Sequence, residues 1–362
     1  MPPRLRRVNC GGPGLMRKRQ GRGFRYVDAG GNVVTDPATR ARIEALVIPP
    51  AWQDVWICPI GNGHIQATGT DAAGRRQYLY HQVWREKRDL EKFDRMLDFA
   101  ERLPAMREQV MATLQTPGLT KDRVLAAAVR LLDLGFFRIG GEAYAEANNT
   151  YGLATIRREH VSIAGGVVTF DYIAKSGKQR VQHVADDAVL KVIRALQARK
   201  GGGEELLAYR TRAGWVDIKS ADINSYLATL TGGEVTAKDF RTWNATVLAA
   251  VGLAVSRHAP NSESGRKRAV SRAVKEVADY LGNTPAVCRA SYIDPRLIDH
   301  YEQGRRTIEP VLDELGADAE FGTLATQGAT EQAVLELLRG PKKAAAAEAR
   351  AAATKKRLRK AG

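Results

Sequence analysis

The 362-residue chain combines 44% apolar with 27% charged residues and has a formal net charge of +16, a composition typical of soluble globular proteins with about two domains. No run reaches the ~18 apolar residues of a membrane span, and the N-terminus lacks the apolar segment of a secretion signal, so we expect a cytoplasmic protein without membrane contact. The three cysteines, Cys10, Cys58 and Cys288, lie far apart and predict neither a disulfide framework nor a metal site.

The positive charge is concentrated at the two ends of the chain. Met1 to Val27 holds eight Arg and Lys residues and no acid, and Pro341 to Gly362 holds eight against Glu348 alone. These ends carry fifteen of the sixteen net charges, so any basic surface in the middle must come from segregating charge onto one face. We therefore interpret residues 1–20 as a basic arm that binds nucleic acid rather than as a solubilising tail.

Residues 21–95 have the pattern of a small antiparallel sheet domain. The stretch "ATRARIEALVIPPAW" predicts a short helix that ends before Pro49 and Pro50, and "VWICPIGNGHIQATGTDAAGRRQYLYH" alternates apolar and polar residues between Gly-rich turns. From Trp84 onward the pattern becomes helical, with a connection expected near "RLPAMREQ".

Residues 96–315 predict a larger, mostly helical domain. "TKDRVLAAAVRLLDLG" has helical spacing, with Thr120 as the N-cap and Gly135 as the stop. "REHVSIAGGVVTFDYIAKSGKQRVQHV" then predicts a three-stranded meander with Lys175 in its second turn. The overall fold class is therefore α+β.

The last helices of this domain have clear start signals. Thr236 and Asp239 have the spacing of a capping box ahead of "FRTWNATVLAAVG", and Thr284 with Pro285 begins a helix after the long "GRKRAVSRAVKEVADYLG". Residues 316–362 are Ala-rich and basic, and we expect them to form a loosely held tail.

Five side chains in the second domain suit metal-free chemistry on a phosphodiester. Guanidinium forks can donate paired hydrogen bonds to the oxygens of a pentacoordinate phosphorus, a phenolate can attack phosphorus, a lysine can protonate the leaving oxygen and an amide adds a neutral donor. Singly, each of these residue types is more often an ordinary surface group. The five are Arg138, Lys175, Arg241, Asn283 and Tyr292.

The order of these residues and their local sequences resemble a known family. "FFRIGGEAYAEANNTYGLATI", "AKSGK", "KDFRTWNA" and "GNTPAVCRASYIDP" are similar to successive motifs of the type IB DNA topoisomerases of the small bacterial and poxvirus-like class. "IPPAW" and "GRRQYLYH" in the N-terminal domain also resemble that class, so the resemblance spans roughly residues 20 to 310.

The resemblance implies a monomeric, C-shaped clamp on double-stranded DNA. Such an enzyme nicks one strand through a 3′-phosphotyrosyl link, lets the free end rotate and reseals it without ATP, metal or other cofactor. By resemblance, Tyr292 is the nucleophile, Arg138 and Arg241 stabilise the transition state, and Lys175 is the general acid. Poxvirus enzymes have histidine at the position of Asn283. The amide of Asn283 can donate a hydrogen bond there, but it cannot carry the charge of an imidazolium. The implied DNA contacts are Gln77, Tyr78, Tyr80, Tyr144, Lys238 and Arg289.

Two other functions compete with this interpretation. Site-specific tyrosine recombinases share the catalytic layout, but they usually have H-x-x-R where this chain has Lys238 and Arg241, and a helical domain in front instead of a β-rich one. A non-enzymatic nucleoid protein would explain the charge but needs no ordered series of Arg, Lys, Arg, Asn and Tyr. The sequence leaves the preferred cleavage sequence and the oligomeric state of the free protein open.

Overall fold

A computed structural model describes residues 4–233, 235–258, 262–304, 307–312 and 326–340. The chain divides into two units, Met1–Asp94 and Arg95–Gly362. No helix of the described residues combines the length and the apolar character needed to cross a membrane.

The first unit is built on a five-stranded antiparallel sheet in the order β2-β1-β3-β4-β5. A helix, α1 (Pro37–Ala45), begins at Asp36, whose side chain accepts a hydrogen bond from the backbone N–H of Thr39. The α1 residue Ile43 is buried against β3 and β4 residues, among them Val55 and Ala67. The strands are β1 (Leu15–Gln20), β2 (Gly23–Val27), β3 (Gln53–Ile57), β4 (Ile65–Thr70) and β5 (Arg76–Tyr80).

The N-terminal segment differs from the expected arm. Strand β1 lies inside the sheet between β2 and β3, and Arg6 pairs with Gly63 in a parallel bridge. Val8 and Cys10 pack against a buried cluster that includes Trp56. The prediction that residues 1–20 form an arm separate from the sheet domain was wrong for residues 4–20, because these apolar side chains and the backbone pairing hold the segment in the unit. Residues 1–3 lie outside the described residues.

The helices that follow the sheet range from seven to 33 residues in length. They are α2 (Gln82–Leu114), α3 (Lys121–Leu134), α4 (Glu142–Asn148), α5 (Asp187–Ala198), α6 (Ser220–Thr231), α7 (Ala237–Ala254), α8 (Glu263–Leu281), α9 (Pro285–Ser291), α10 (Pro295–Glu302) and α11 (Ala329–Arg339). The division between the two units falls within α2. The connection expected near "RLPAMREQ" is absent, since α2 runs through Pro104. Leu103 and Met106 on either side are buried, and their packing compensates for the hydrogen bond that a proline cannot donate.

Two small sheets interrupt the helices of the second unit. The predicted meander is present as β6 (Val161–Ala164), β7 (Val167–Ala174) and β8 (Lys178–Val184), in that order and antiparallel. A second hairpin, β9 (Ala208–Thr211) with β10 (Gly214–Asp217), was not expected. Its strands are four residues each, too short for a clear period-2 signal.

The aromatic core of the second unit fixes the elements around the meander. Phe137, just beyond α3, meets Phe170 of β7 edge to face with ring centroids 5.0 Å apart. Phe99 of α2 meets Phe240 of α7 in the same way at 4.9 Å. These contacts hold the loop after α3 and the first turn of α7 against the same core.

The region assigned to a tail contains helix α11. Val334, Leu335 and Leu338 on one face of α11 are buried, which anchors the helix and contradicts a loosely held segment at residues 326–340. The alanine-rich composition hid this amphipathic stripe. Residues 316–325 and 341–362 lie outside the described residues, so the tail prediction stands there only as a prediction.

Candidate active site

The five predicted side chains come from five separate segments of the second unit. Arg138 lies in the loop between α3 and α4, and Arg241 lies in the second turn of α7. Asn283 lies in the link between α8 and α9, and Tyr292 is the residue that ends α9. Lys175 begins the turn between β7 and β8, as predicted.

A close approach of two backbone segments shapes the loop that carries Arg138. The backbone carbonyl of Arg138 accepts a 2.8 Å hydrogen bond from the N–H of Leu153. A Cβ at Gly152 would lie 2.8 Å from that carbonyl oxygen and 2.5 Å from the nitrogen of Gly140, which itself has φ of +79°. Only glycine fits at these two positions, and this explains the "IGG…YG" pattern around the arginine.

The capping box at the start of α7 sets the position of Arg241. The carboxylate of Asp239 accepts hydrogen bonds from the backbone N–H of Thr236 at 2.8 Å and from its hydroxyl at 2.9 Å, as the sequence predicted. With the helix start fixed, Arg241 faces inward and is only 4% exposed. Its guanidinium donates to the carbonyl of Phe136 and, at 3.0 Å, to that of Leu281.

Burial makes the charge of Arg241 unfavourable in the DNA-free protein. It lowers the pKa of the guanidinium to about 10, and the nearby Arg138 pushes the pKa in the same direction. The phenol of Tyr292 opposes this shift. A cation held in this way gains free energy when an anion binds beside it.

The C-terminal end of α8 is the acceptor surface on which the arginines converge. Gly282 ends the helix in the left-handed conformation at φ of +65°, and the N–H of Asn283 bonds back to the carbonyl of Ala278 at 2.9 Å. Arg138 donates to the carbonyl of Gly282 at 3.1 Å and to Oδ1 of Asn283 at 2.6 Å. A helix C-terminus carries partial negative charge, so it is suited to hold these cations in place.

The tyrosine lies against one of these arginines. Thr284 caps α9 through its side chain, which accepts from the N–H of Val287 at 3.3 Å, and the short helix ends at Tyr292. The Tyr292 carbonyl accepts a 3.2 Å hydrogen bond from the Thr246 hydroxyl, and its ring centroid lies 5.3 Å from Cζ of Arg241. The half-buried phenol is therefore held beside a buried guanidinium.

Lys175 is an exposed side chain on a strained turn. Ser176 and Gly177 after it have φ of +69° and +70°. Its Nζ lies 5.9 Å from the ring centroid of Tyr144, a residue that the sequence also singled out. Arg138 contacts Asn283, and Arg241 contacts Tyr292. Lys175 contacts Tyr144 instead.

Arg180, which was not among the residues predicted from the sequence, is a third guanidinium at the same helix end. Arg180 lies in β8 opposite the buried Tyr172 and donates to the carbonyl of Asp279 at 3.1 Å and to that of Tyr280. Burial lowers its pKa, and Arg138 acts in the same direction. The one available signal was strand parity, because Arg180 shares a face of β8 with the buried Val184.

The assembled site is cationic, and two of its buried hydrogen-bond donors have no acceptor among the described residues. Among the described residues, the acceptors of Arg138, Arg180 and Arg241 are five backbone carbonyls and one amide oxygen, all uncharged. In that part of the chain, the buried Nε of Arg241 and Nδ2 of Asn283 have no hydrogen-bond partner. An oxyanion such as a phosphodiester supplies both the missing charge and the missing acceptors.

The other predicted DNA contacts are exposed side chains, except for the half-buried Gln77. In the first unit, the rings of Tyr78 and Tyr80 stack with centroids 6.1 Å apart, and Gln77 donates to Asp71 at 2.9 Å. In the second unit, Lys238 is exposed at the start of α7, and Arg289 lies 3.7 Å from Glu302.

Comparison with known proteins identifies the family. A family model described as the catalytic core of eukaryotic DNA topoisomerase I matches residues 81–315, well over half of the chain. A second model, described as the N-terminal domain of bacterial DNA topoisomerase IB, matches residues 23–71. The chain belongs to the type IB DNA topoisomerase family. It is therefore an enzyme, and the tyrosine recombinase alternative is not favoured.

Individual relatives of this topoisomerase agree with that assignment. The chain is 30% identical to DNA topoisomerase 1B of Acanthamoeba polyphaga mimivirus over 80% of this chain and 88% of the viral protein. It is 20% identical to DNA topoisomerase 1B of vaccinia virus over 64% of this chain and 70% of the relative. Its match to DNA topoisomerase 1 of Candidozyma auris, at 29% identity, covers 44% of this chain and 20% of the yeast protein. Helix α11 of this topoisomerase lies beyond the region that the catalytic-core model matches.

Proposed function

We propose that this type IB topoisomerase relaxes supercoiled double-stranded DNA through a 3′-phosphotyrosyl intermediate on Tyr292. The observation that carries the proposal is the convergence of Arg138, Arg241 and Asn283 on the end of α8, with the phenol of Tyr292 beside them. This arrangement offers a nucleophile and several hydrogen-bond donors to a single phosphate.

In the proposed cleavage step, the phenolic oxygen of Tyr292 forms a bond to phosphorus as the bond from phosphorus to the 5′ oxygen breaks. The phenol loses its proton to solvent, and Lys175 gives a proton to the departing oxygen. Resealing is the reverse, with the 5′ hydroxyl attacking the phosphotyrosine. One phosphodiester replaces another in each direction, so the cycle needs no ATP.

The arginines do their work in the transition state of this step. Negative charge spreads over the equatorial oxygens of phosphorus, and two fixed guanidiniums can each donate paired hydrogen bonds to them. The backbone carbonyls that hold Arg138 and Arg241 keep both in place before DNA arrives, so little reorganisation is needed. The free Nδ2 of Asn283 supplies one more donor. The two guanidiniums supply the positive charge that a metal ion would otherwise provide.

Binding of the duplex involves a second set of residues in the proposal. We propose that one copy of the chain encloses the DNA as a C-shaped clamp, with the Tyr78 and Tyr80 pair and Gln77 on the major groove. Tyr144, Lys238 and Arg289 would contact the backbone near the cleaved phosphate, which requires Arg289 to leave Glu302. Chromosomal DNA in the cytoplasm would be the substrate.

The decisive experiment uses supercoiled plasmid in EDTA. We expect the wild type to relax plasmids of unrelated sequence and to appear on a denaturing gel covalently linked to the 3′ side of a nick. Tyr292→Phe should lose both activities and keep its DNA affinity, because the lost oxygen serves only the chemistry. Tyr209→Phe, a matched change in the β9–β10 hairpin, should stay active. Relaxation by Tyr292→Phe would rule out this nucleophile, and activity confined to plasmids with particular paired sites would favour a recombinase.

A further inference from the structure

Exposure leaves Lys175 poorly fixed by its own surroundings. The turn that presents it has no buried side chain, since Lys175, Ser176 and Gly177 are all exposed. A general acid must nevertheless stay within hydrogen-bond reach of the oxygen that it protonates. The hairpin therefore needs an attachment to the part of the site that binds the phosphate.

Arg180 makes such an attachment. It is five residues from Lys175 on β8 and is the inward-facing side chain of that strand next to the turn. Its guanidinium donates to the carbonyls of Asp279 and Tyr280 in the last turn of α8. The carbonyl of Leu281 at the end of that turn accepts from Arg241, and the carbonyl of Gly282, between this turn and Asn283, accepts from Arg138.

The fit between Arg180 and this helix end is close. A Cβ at Gly282 would lie 3.4 Å from Cδ and Nη1 of Arg180 and 3.6 Å from Nη1 of Arg138. These are van der Waals distances, so both guanidiniums lie against the same helix end. The fork of an arginine can donate to two carbonyls at once, which an ammonium matches less well.

We propose that Arg180 is a positioning residue that fastens the Lys175 hairpin to the phosphate-binding end of α8. It acts through Lys175 and not by touching the substrate. This inference rests on the proposed role of Lys175 as the general acid.

The test compares two DNA substrates that differ in the leaving atom. On an ordinary duplex, the bond from phosphorus to oxygen breaks and the oxygen needs a proton. On a duplex with a 5′-bridging sulfur, the bond from phosphorus to sulfur breaks and the thiolate leaves unprotonated, because thiols are far more acidic than alcohols. A defect confined to general-acid catalysis is relieved by the sulfur substrate.

Single-turnover cleavage would be measured on both substrates for the wild type, Lys175→Ala, Arg180→Met and Arg180→Lys. We expect Arg180→Met to slow cleavage of the oxygen substrate about 10- to 100-fold, the effect of misplacing a catalytic group by about 1 Å. On the sulfur substrate, we expect Arg180→Met to slow cleavage less than about 3-fold, because the leaving thiolate needs no proton. Arg180→Lys should show a smaller defect with the same relief. Gln179→Met, on the opposite face of β8, should match the wild type on both.

The possible outcomes separate the inference from the function on which it rests. Relief by sulfur in both Lys175→Ala and Arg180→Met supports the inference. Relief in Lys175→Ala with equal slowing of Arg180→Met on both substrates overturns it and gives Arg180 a role at the phosphate or in the fold. If sulfur does not relieve the defect of Lys175→Ala, Lys175 is not the general acid, and the inference about Arg180 fails with that role. If the melting temperature of Arg180→Met is well below that of the wild type, Arg180→Lys is judged in its place. Relief of its defect by sulfur then supports the inference, and equal slowing on both substrates overturns it.

Discussion

The indole Nε1 of Trp243 donates a 2.7 Å hydrogen bond to Oε1 of Glu331, which joins helix α11 to α7 two residues after Arg241. The same carboxylate accepts from Nη1 and Nη2 of Arg107 at 2.6 and 3.0 Å. Arg107 also pairs with the buried Asp133 near the end of α3. A residue beyond the matched catalytic core thus supports both segments next to Arg138 and Arg241, the arginines proposed to act in catalysis.

Glu331→Gln should destabilise the protein. It leaves an amide beside Arg107 and weakens a buried ion pair, and breaking such a pair costs about 3 kcal/mol. Urea unfolding would measure the loss. Glu336→Gln, an exposed change on the same helix, serves as the control and should unfold like the wild type. Equal stability of the two variants would mean that the ion pair of Glu331 contributes little to the fold.

Lysine should replace neither catalytic arginine. We expect Arg138→Lys and Arg241→Lys each to slow single-turnover cleavage by about 100-fold or more, the usual loss for one preorganised donor. The ammonium group cannot reproduce the bidentate guanidinium fork. Near wild-type rates with lysine at both positions would show that only general positive charge matters there.

Anions should stabilise the DNA-free protein through Arg241. Its folded pKa of about 10 lies below the ordinary value of a guanidinium, so its charge opposes folding at neutral pH by on the order of 3 kcal/mol. This cost is fully present below the folded pKa of about 10 and disappears as the pH rises above it. At pH 7, sulfate in place of chloride at equal ionic strength should raise the melting temperature of the wild type more than that of Arg241→Met.

The matched control for this comparison is Arg194→Met, which removes an exposed guanidinium from α5. Sulfate stabilises most proteins in a general way, so the relevant quantity is the difference between variants. The same sulfate response in Arg241→Met and Arg194→Met would show that no anion binds at Arg241.

Asn283 should tolerate exchange for histidine and not for alanine. Its Oδ1 accepts from Arg138 at 2.6 Å, while its buried Nδ2 has no partner among the described residues and remains available to a phosphate oxygen. We expect Asn283→Ala to slow cleavage about 10- to 100-fold, since both the positioning and a donor are lost. Cleavage at saturating enzyme would be the measurement, and an unaffected Asn283→Ala would exclude a role at the phosphate.

Two truncations should separate DNA retention from the fold. Deleting residues 341–362 removes eight basic side chains, and if about half of them touch DNA, the slope of log affinity against log salt should fall by roughly 3 to 4. The rate of single-turnover cleavage at saturating enzyme should stay unchanged. Deleting residues 326–362 also removes α11 and should lower the melting temperature. An unchanged salt slope in the shorter deletion would mean that the tail does not contact DNA.

The sequence by itself determined the features that depend on neighbouring residues. The caps at Thr120, Thr236 and Thr284, the meander with Lys175 in its turn, and the residue types of the site all follow from local spacing and chemistry. The resemblance to family motifs then predicted a role for each of those residues. Local signals of this kind survive in the folded chain because they act within one turn or one strand pair.

Only the tertiary structure decided how distant residues meet. Arg138 and Gly282 are 144 positions apart, and nothing near either residue predicts their hydrogen bond. The same holds for Arg180 at the end of α8 and for Glu331 beneath Trp243. The arm at residues 4–20 and the tail at residues 326–340 were mispredicted for this reason, since a basic or alanine-rich segment is ordered wherever its few apolar side chains find a buried partner. Such contacts depend on the packing of the whole core, and a linear pattern does not contain that information.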